Sequence, residues 1–466
     1  MSDPWKALAV LASTQFLLIL DTALVNVAVP SIGTDLDISP PGLSWVANAY
    51  LIAFGGLLLL GGRAADHAGR RRVFRIGLAV LVAGSVIGSV AGSAGWLIAG
   101  RAVQGAAAAL AAAAAFALLL AIFPDGPDRH RALGIFAAMA GAGGAVGTVL
   151  GGVLTDWWGW RSTFVLNVAA GLMLLVLSMR LLPEARAERH GRGFDVAGAV
   201  TVTTGLALLA YALVTTGEAG WTAPRTLVAA ALAAVLLLTF VLIERRTAAP
   251  LVPPEVLRRP LVRAANILAG LSQVTLFPMF FLVSLYLQDV VGHSPLVGGL
   301  GLLPLSIVVI LVAGLTDRII ARFGLRTVMI VGFGLVTVGM AWLSRLSAEG
   351  GFVSDVLGPT LMLGVGLPLV AVSTNIAAAA DIRPDEAGLA SGLVNTSLQF
   401  GSVVGLAVMT GVAAARAGDT ADPVAVTAGF RMAFLVGAVV ALVAALLAAR
   451  LRPTAVTAGE PAAARG

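Results

Sequence analysis

Two charged residues lie inside segments that otherwise look ready to cross a membrane. Asp21 directly follows the apolar segment AVLASTQFLLIL, and Arg101 lies in the segment LIAGRAVQGAAAA. A charge at mid-bilayer costs about 2.5–3.5 kcal/mol on insertion scales, so such a residue needs a partner, a water-filled cavity or a proton. At 1.5 Å per residue from the nearer end of each predicted helix, Asp21 lies about 12 Å deep and Arg101 about 9 Å deep.

The chemistry available to these residues is reversible protonation of a carboxylate. An arginine close to a carboxylate favours its ionised form. Intramembrane carboxylates typically carry protons or bind the charge of a substrate. Gln104, three residues after Arg101, shares its helix face. Two structural alternatives remain: Asp21 and Arg101 form a purely structural ion pair, or Asp21 is hydrogen-bonded to a neighbouring helix.

The composition places these residues in a polytopic membrane protein. Of the 466 residues, 59% are hydrophobic and 12% are charged, whereas a soluble domain carries roughly 25% charged residues. The absence of cysteine excludes disulfides and thiolate metal sites. The one lysine, Lys6, lies in no GxxxxGK sequence, so no phosphate-binding loop for ATP is present. The bias towards arginine, alanine and glycine is typical of a bacterial chain.

Hydropathy predicts fourteen transmembrane helices. Arginine concentrates in alternate loops, which places both termini in the cytoplasm. The net charge of +6 is explained by basic loops that face anionic lipid, so we expect no nucleic-acid partner. The predicted helices cover residues 7–29, 43–61, 73–92, 95–121, 131–155, 162–182, 195–216, 225–243, 262–287, 296–316, 325–346, 353–378, 386–412 and 428–450.

Two features of the chain repeat weakly. The loop GGRAADHAGRRRV after the second helix is similar to AGLTDRIIARFGLR after the tenth, and the glycines of the fifth helix are similar to Gly388, Gly392, Gly401 and Gly405 of the thirteenth. Both offsets are eight helices, which predicts an all-α fold of two six-helix bundles with pseudo-two-fold symmetry and two inserted helices. The predicted units are the N-terminal bundle (1–182), a linker with two extra helices (183–261), the C-terminal bundle (262–452) and a disordered cytoplasmic tail (453–466).

Several segments resemble the major facilitator superfamily and, within it, the fourteen-helix drug:proton antiporters. GGRAADHAGRRRV is similar to the superfamily's loop 2–3 signature, LIAGRAVQGAAAA to its fourth-helix motif, and LDTALVNVAVP to the first-helix motif of the fourteen-helix group. GGAVGTVLGGVL resembles the fifth-helix antiporter motif, with Thr148 where proline is usual. WVANAYLIA, WRSTFVLN, YLQDVVGHSPLVGGLGLLP and AGLASGLVNTSLQFG also resemble this group. The resemblance covers residues 5–452.

The resemblance implies roles for three sets of residues. Asp21 and Arg101 would couple transport to protons, because the first and fourth helices of this superfamily face the central cavity. The loop residues would form a latch between conformations, although an ordinary basic cytoplasmic loop explains them too: Gly62, Asp66, Gly69, Arg70, Arg71 and, in the repeated loop, Asp317. The antiporter motif would seal the cavity against the opposite half, although such glycines also serve close helix packing alone: Gly143, Gly147, Thr148, Gly151 and Gly152.

Polar residues elsewhere in the predicted helices are candidates for lining the cavity. They are Gln15, Asn26, Gln104 and Gln273. Asn26, like Thr22, is better suited to a hydrogen bond between helices. Since only one acid lies deep in a predicted helix, neutral, zwitterionic or singly cationic amphiphiles are favoured as substrates over dications.

These features predict a proton-coupled efflux transporter that exports drugs, antibiotics or similar amphiphiles by alternating access. The alternative is a proton-coupled symporter for a nutrient or metabolite, and the antiporter motif favours export. An enzyme is not expected, because the four histidines lie in or beside loops without metal-ligand spacing. We expect no cofactor beyond the proton gradient, no metal, and a monomer in a bacterial cell membrane whose partners are protons, lipid and a small-molecule substrate.

Overall fold

The fold was described from a computed structural model, and every described secondary-structure element is helical. The described residues are 3–123, 126–183, 196–220, 222–247, 259–379, 387–418, 420 and 422–451. Within them lie α1 (Pro4–Leu36), α2 (Pro40–Ala68), α3 (Arg70–Ser89), α4 (Ala94–Ile122), α5 (Pro127–Trp158), α6 (Arg161–Leu181), α7 (Val196–Ala219), α8 (Pro224–Arg246), α9 (Pro260–Leu285), α10 (Pro295–Gly301), α11 (Leu303–Phe323), α12 (Leu325–Leu343), α13 (Gly358–Ala379), α14 (Ala387–Ala417) and α15 (Pro423–Ala449). A π-helical segment, Tyr286–Val290, continues α9, and another, Phe352–Leu357, leads into α13.

Twelve of the described segments are long and apolar enough to cross a membrane, and one of them joins α10 to α11. The all-α membrane fold is therefore confirmed. Each of the fourteen predicted helices overlaps a described helix, but α2 and α7 contain only the shorter apolar stretches Gly42–Leu58 and Val200–Leu213. A count of fourteen spans thus stays a prediction. The predicted tail, 453–466, and most of both charged linkers lie outside the described residues.

The two halves of the chain repeat the same helix packing. In the first half α1 packs on α5, and α3 packs on α4 and α6; in the second half α9 packs on α14, and α12 packs on α13 and α15. Gly69 and Gly324 precede α3 and α12 with φ of 98° and 80°, a conformation that favours glycine. Arg71 donates to a carbonyl near the end of α6, and Arg326 donates to one at the end of α15. The helices α1–α6 are thereby related to α9 and α11–α15.

The halves share a core at one end of the bundle only. We call the end that holds the start of α1 and the end of α15 the terminal side, and the opposite end the far side. Near the far side, one cluster of buried side chains includes Val25 and Ile32 of α1 together with Leu282 of α9 and Phe434 of α15. Towards the terminal side, the described buried residues form a separate cluster in each half, with Val403 of α14 as the exception that joins the first.

Two direct contacts between the halves also lie towards the far side. The side-chain amide of Gln288, after α9, donates to the carbonyl of Val27 in α1 (3.1 Å). A Cβ atom built on Gly299 in α10 would lie 2.4 Å from the carbonyl oxygen of Thr148 in α5, so these two backbones touch. The structure is therefore closed on the far side, and its two halves have separate cores on the terminal side.

One of the two inserted helices covers a seam between the halves. α2 packs on α14 across this seam, and α7 packs on both of them, while α8 packs on α7. The hydroxyl of Thr203 in α7 donates to the carbonyl of Gly56 in α2 (2.7 Å), and the rings of Trp45 and Tyr211 lie 5.7 Å apart. α7 is thus hydrogen-bonded to the first half, packs on α14 of the second half, and covers the outer surface of the seam.

We predict that Gly105→Ala loosens the contact between α4 and α2. A Cβ atom at position 105 would lie 2.2 Å from the carbonyl oxygen of Tyr50, which is backbone and cannot rotate away. Such overpacking typically costs about 1–3 kcal/mol, so the midpoint of thermal unfolding in detergent should fall. The control is Gly134→Ala, because nothing lies within 4 Å of that position. Equal midpoints for the two variants would contradict the close approach.

Candidate functional site

Asp21 and Arg101 form an ion pair deep inside the first half. A guanidinium nitrogen of Arg101 in α4 lies 2.6 Å from a carboxylate oxygen of Asp21 in α1, and each side chain is 1% exposed. The similar depths estimated from the sequence agree with this contact. The pair is enclosed by the helices of the first half, so in this conformation neither charge lines an open cavity.

The arginine is held by three further groups besides the carboxylate. The nitrogen that contacts Asp21 also donates to the side-chain oxygen of Gln104 (3.0 Å), and Nε donates to the carbonyl of Val46 in α2 (3.1 Å). The guanidinium carbon lies 4.4 Å from the ring centroid of Tyr50, a cation–π distance. Arg101 therefore keeps favourable contacts that do not depend on the charge of Asp21.

The carboxylate likewise has partners other than arginine. The amide nitrogen of Asn167 in α6 donates to Asp21, and that of Gln104 approaches the same oxygen (3.4 Å) while donating to the hydroxyl of Ser85 in α3 (2.8 Å). We call Asp21, Ser85, Arg101, Gln104 and Asn167 the ion-pair network. Five helices contribute to it, counting the carbonyl from α2.

Three residues that form or contact the ion-pair network were not predicted from the sequence. Asn167, Ser85 and Tyr50 are each almost fully buried, yet none was predicted as a site residue. Asn167 stands in WRSTFVLN and Tyr50 in WVANAYLIA, both of which were noted as family-like segments. The sequence did contain an indication of Asn167, because an amide side chain in an apolar helix needs a hydrogen-bond partner when it is buried.

The second half has no charge at the equivalent places. Gly143 of α5 lies against Phe16, five residues before Asp21, and Gly401 of α14 lies against Gly270, five residues before Thr275. Asp21 and Thr275 are therefore equivalent positions. Thr275 is fully buried and donates to a carbonyl of its own helix (2.7 Å). Gly84 and Gly339 lie fifteen residues after Gly69 and Gly324, and they approach the carbonyls of Gly100 and Pro359 in the same way, which makes Thr360 the equivalent of Arg101. The two halves therefore share packing but differ in chemistry.

The predicted cavity-lining residues divide into two groups. Gln104 is fully buried in the ion-pair network in this conformation, and its cavity-lining role stays a prediction. Gln15 and Asn26 are partly buried and share a face of α1 that lies about 130° around the helix from Asp21. Gln273 is also partly buried and packs against Gly401 of α14. Asn26 makes no predicted interhelical bond in the described part of the chain, where its side-chain oxygen has no partner.

Of the predicted latch residues, Gly69, Arg70 and Arg71 lie at the start of α3 on the terminal side. Arg70 donates to the carbonyl of Ala117 in α4 (3.3 Å), and Arg71 donates to that of Met179 in α6 (3.1 Å). Cations at helix C-termini are stabilising, so these arginines hold α4 and α6 to α3. No atom lies within 4 Å of a Cβ built on Gly62. Asp317 is exposed in α11, and the side chain of Asp66 lies outside the described residues.

The glycine face of α5 meets a different neighbour from the one expected. Gly143, Gly147 and Gly151 face α1 of the same half, not the opposite half. The opposite half is met by the adjacent face, where Thr148 touches Gly299 and Gly152 lies 2.7 Å, measured from a built Cβ, from the carbonyl of Pro295. Both faces use small residues for close backbone approach. Contacts of α5 with the opposite half are therefore made by Thr148 and Gly152 rather than by the glycines spaced four apart, and the sealing role of the motif stays a prediction.

In the described part of the chain, no three histidine, aspartate or glutamate side chains are grouped so as to hold a metal ion. The fold and the site together define a polytopic helical membrane protein of two related halves, with a polar network inside one of them. The sequence profile of the Major Facilitator Superfamily matches residues 11–406 and 318–466. The chain belongs to the major facilitator superfamily, and the resemblance drawn from its motifs is confirmed.

Similar proteins agree with this assignment. The cephamycin export protein CmcT of Amycolatopsis lactamdurans is 40% identical over 453 residues, which cover 96% of this chain and 92% of that protein. The puromycin resistance protein pur8 of Streptomyces alboniger is 35% identical over 460 residues, with 96% and 91% covered. The crystal structure of the peptide transporter POT in complex with sulfate has the same fold, with a TM-score of 0.68, 15% identity and 96% of each chain covered.

We predict that Arg101 and Asp21 are strongly coupled in stability. Removing one partner of a buried ion pair costs about 3–5 kcal/mol, so Arg101→Leu should lower the thermal midpoint of the detergent-solubilised protein. The loss should be much smaller in an Asp21→Asn background, where no buried carboxylate is left without its cation.

The matched control is the pair Arg161–Asp35, which has a similar separation of 2.7 Å but is 40% and 46% exposed. Exposed pairs contribute little to stability, so the same double-mutant cycle with Arg161→Leu and Asp35→Asn should show no resolvable coupling. Additive losses at Arg101 and Asp21 would contradict a buried, mutually dependent pair.

Proposed function

We propose that this protein is a fourteen-span, proton-coupled antiporter that exports small amphiphilic organic compounds from the cell by alternating access. The observation that carries the proposal is the Asp21–Arg101 pair, enclosed by polar partners in a chain whose relatives are named for antibiotic export and resistance. The terminal side would face the cytoplasm and the far side the exterior. The protein would act as a monomer in the bacterial cell membrane, with the proton gradient as its energy source.

The network is suited to a carboxylate with two protonation states. When Asp21 is ionised, it accepts from Arg101, Asn167 and Gln104 at once. When Asp21 is protonated, the attraction to Arg101 falls, but the arginine retains the carbonyl of Val46 and the ring of Tyr50. In neither protonation state is a buried charge left without a partner, and a buried charge needs one. Protonation would therefore change which helices are held together without unfolding the first half.

The packing of the two halves indicates how such a change would reach the substrate. α1 carries Asp21 and also contacts the second half through the carbonyl of Val27 and Gln288. A change in the protonation state of Asp21 would allow α1 to shift relative to α4, and thereby alter the contact of α1 with the second half on the far side. In the proposed cycle, opening admits a proton from outside, and closure with separation of the terminal side returns the proton to the cytoplasm. Arg70 and Arg71 would brace α3 against α4 and α6 during this movement.

A symporter for a nutrient or metabolite is the second candidate. It shares every feature of the ion-pair network, so it differs from the antiporter in direction only. The backbone contact between Thr148 and Gly299 favours antiport, because it lies within the segment that resembles the antiporter motif. Neutral, zwitterionic or singly cationic amphiphiles are the proposed substrates.

We predict that Asp21→Asn abolishes proton-driven transport in inside-out vesicles. Vesicles with an acidic lumen should accumulate puromycin or cephamycin C through the native protein, and a protonophore should prevent this. Asparagine preserves the size of the side chain but cannot exchange a proton, so the variant should insert normally and fail to accumulate either compound. Asp35→Asn is the control, because that carboxylate is exposed and should be dispensable for coupling. Undiminished accumulation by Asp21→Asn would exclude this residue as the proton carrier.

We also predict that both termini face the cytoplasm. The chain contains no cysteine, so single cysteines introduced as Ser2→Cys, Ala463→Cys and Gly92→Cys report on their own positions. A membrane-impermeant maleimide added to intact cells should label only Gly92→Cys, in the loop between α3 and α4. Labelling of either terminal variant in intact cells would reverse the proposed orientation.

A further inference from the structure

Asn48 in α2 is a buried polar residue that the ion-pair network does not use. Its side chain is 0% exposed, and neither its amide nitrogen nor its amide oxygen has a hydrogen-bond partner among the described residues. An unpaired buried donor or acceptor is destabilising, and it is rare enough in native structures to require an explanation. Asn48 was not among the residues predicted from the sequence.

The position of Asn48 is at the seam between the two halves. Gly55 lies seven residues further along α2, which at 3.6 residues per turn places it on nearly the same face. A Cβ atom built on Gly55 would lie 2.6 Å from the Cβ atom of Gln399 in α14, so this face of α2 meets the second half. α7 covers the seam from outside through its contacts with Trp45 and Gly56. The amide therefore faces a place where the halves meet, not lipid.

The same turns of α2 carry the contacts with the arginine of the ion-pair network. Val46 and Tyr50 lie two residues before and after Asn48, about 200° around the helix. Val46 accepts from Arg101 through its carbonyl, and Tyr50 stacks against the guanidinium. One short stretch of helix thus joins the unpaired amide to Arg101.

We propose that Asn48 is a substrate-binding residue that recognises an uncharged hydrogen-bonding group, such as an amide, carbonyl or hydroxyl. The proposal rests on the transport function given above. An alternating-access protein has a second conformation in which the seam opens, and there the amide of Asn48 is free to donate and accept. An amide carries no charge, so it selects for hydrogen-bonding capacity rather than for cations. Because Val46, Asn48 and Tyr50 lie in one continuous stretch of α2, substrate bound at Asn48 also affects the contacts that Val46 and Tyr50 make with Arg101.

The first test compares substrates that differ in hydrogen-bonding groups. Purified protein in liposomes is assayed with puromycin and cephamycin C, which both carry amide groups. The comparison compound is tetraphenylphosphonium, a cation that has no hydrogen-bonding group. Asn48→Leu keeps a similar volume and removes both hydrogen-bonding functions. The KM for the first two compounds should rise about tenfold or more, as expected for one lost buried hydrogen bond. The KM for tetraphenylphosphonium should not change. An equal rise for all three compounds would overturn the assignment.

The second test separates Asn48 from a structural role and does not depend on transport. Asn48→Leu removes two unpaired polar groups from the closed conformation, so its thermal midpoint in detergent should rise. Asn167→Leu, the matched control, removes an amide that donates to Asp21, so its midpoint should fall. A lower midpoint for Asn48→Leu would overturn the inference. If the native protein transported none of the compounds, the proposed function would fail, and the stability comparison would still decide whether the amide of Asn48 is unpaired.

Discussion

A charge pair in the middle of a bilayer must find all of its hydrogen bonds inside the protein, because lipid supplies none. This constraint organises the first half of the chain. Asp21 comes from α1, Arg101 and its partner Gln104 come from α4, and the other contributing groups come from α2, α3 and α6. Five helices converge on one point only if their backbones approach closely, which the contact of Gly105 with the carbonyl of Tyr50 permits. The small residues of α4 thus allow the close packing that brings the partners of the pair together.

The second half shows that this chemistry is separable from the fold. It repeats the helix pairing and the glycine contacts of the first half, yet Thr275 and Thr360 stand where Asp21 and Arg101 would be. The fold needs only the packing, which both halves share. In the proposed mechanism, the first half carries the proton, and the second supplies the surface against which it rocks. The far-side contacts at Gln288 and Gly299 connect the two.

Much of this organisation was accessible from the sequence, because depth along a helix can be counted. Counting residues placed Asp21 and Arg101 at similar depths, and the structure joins them. Rotation about a helix, and the identity of the neighbour, cannot be counted in this way. That is why Asn167, Ser85 and Tyr50 were missed. The glycines of α5 illustrate the same limit: their spacing predicts close packing, but only the structure shows that Gly143 and Gly147 face α1 while Gly152 faces α10.

The central claim is that Asp21 exchanges a proton when substrate binds. It is tested most directly by measuring protons released into weakly buffered solution when puromycin or cephamycin C is added to the detergent-solubilised protein, across a range of pH. The account predicts proton release from the native protein and none from Asp21→Asn, although the variant still binds the compound. Equal proton release from both proteins would show that another group carries the proton and would contradict the account.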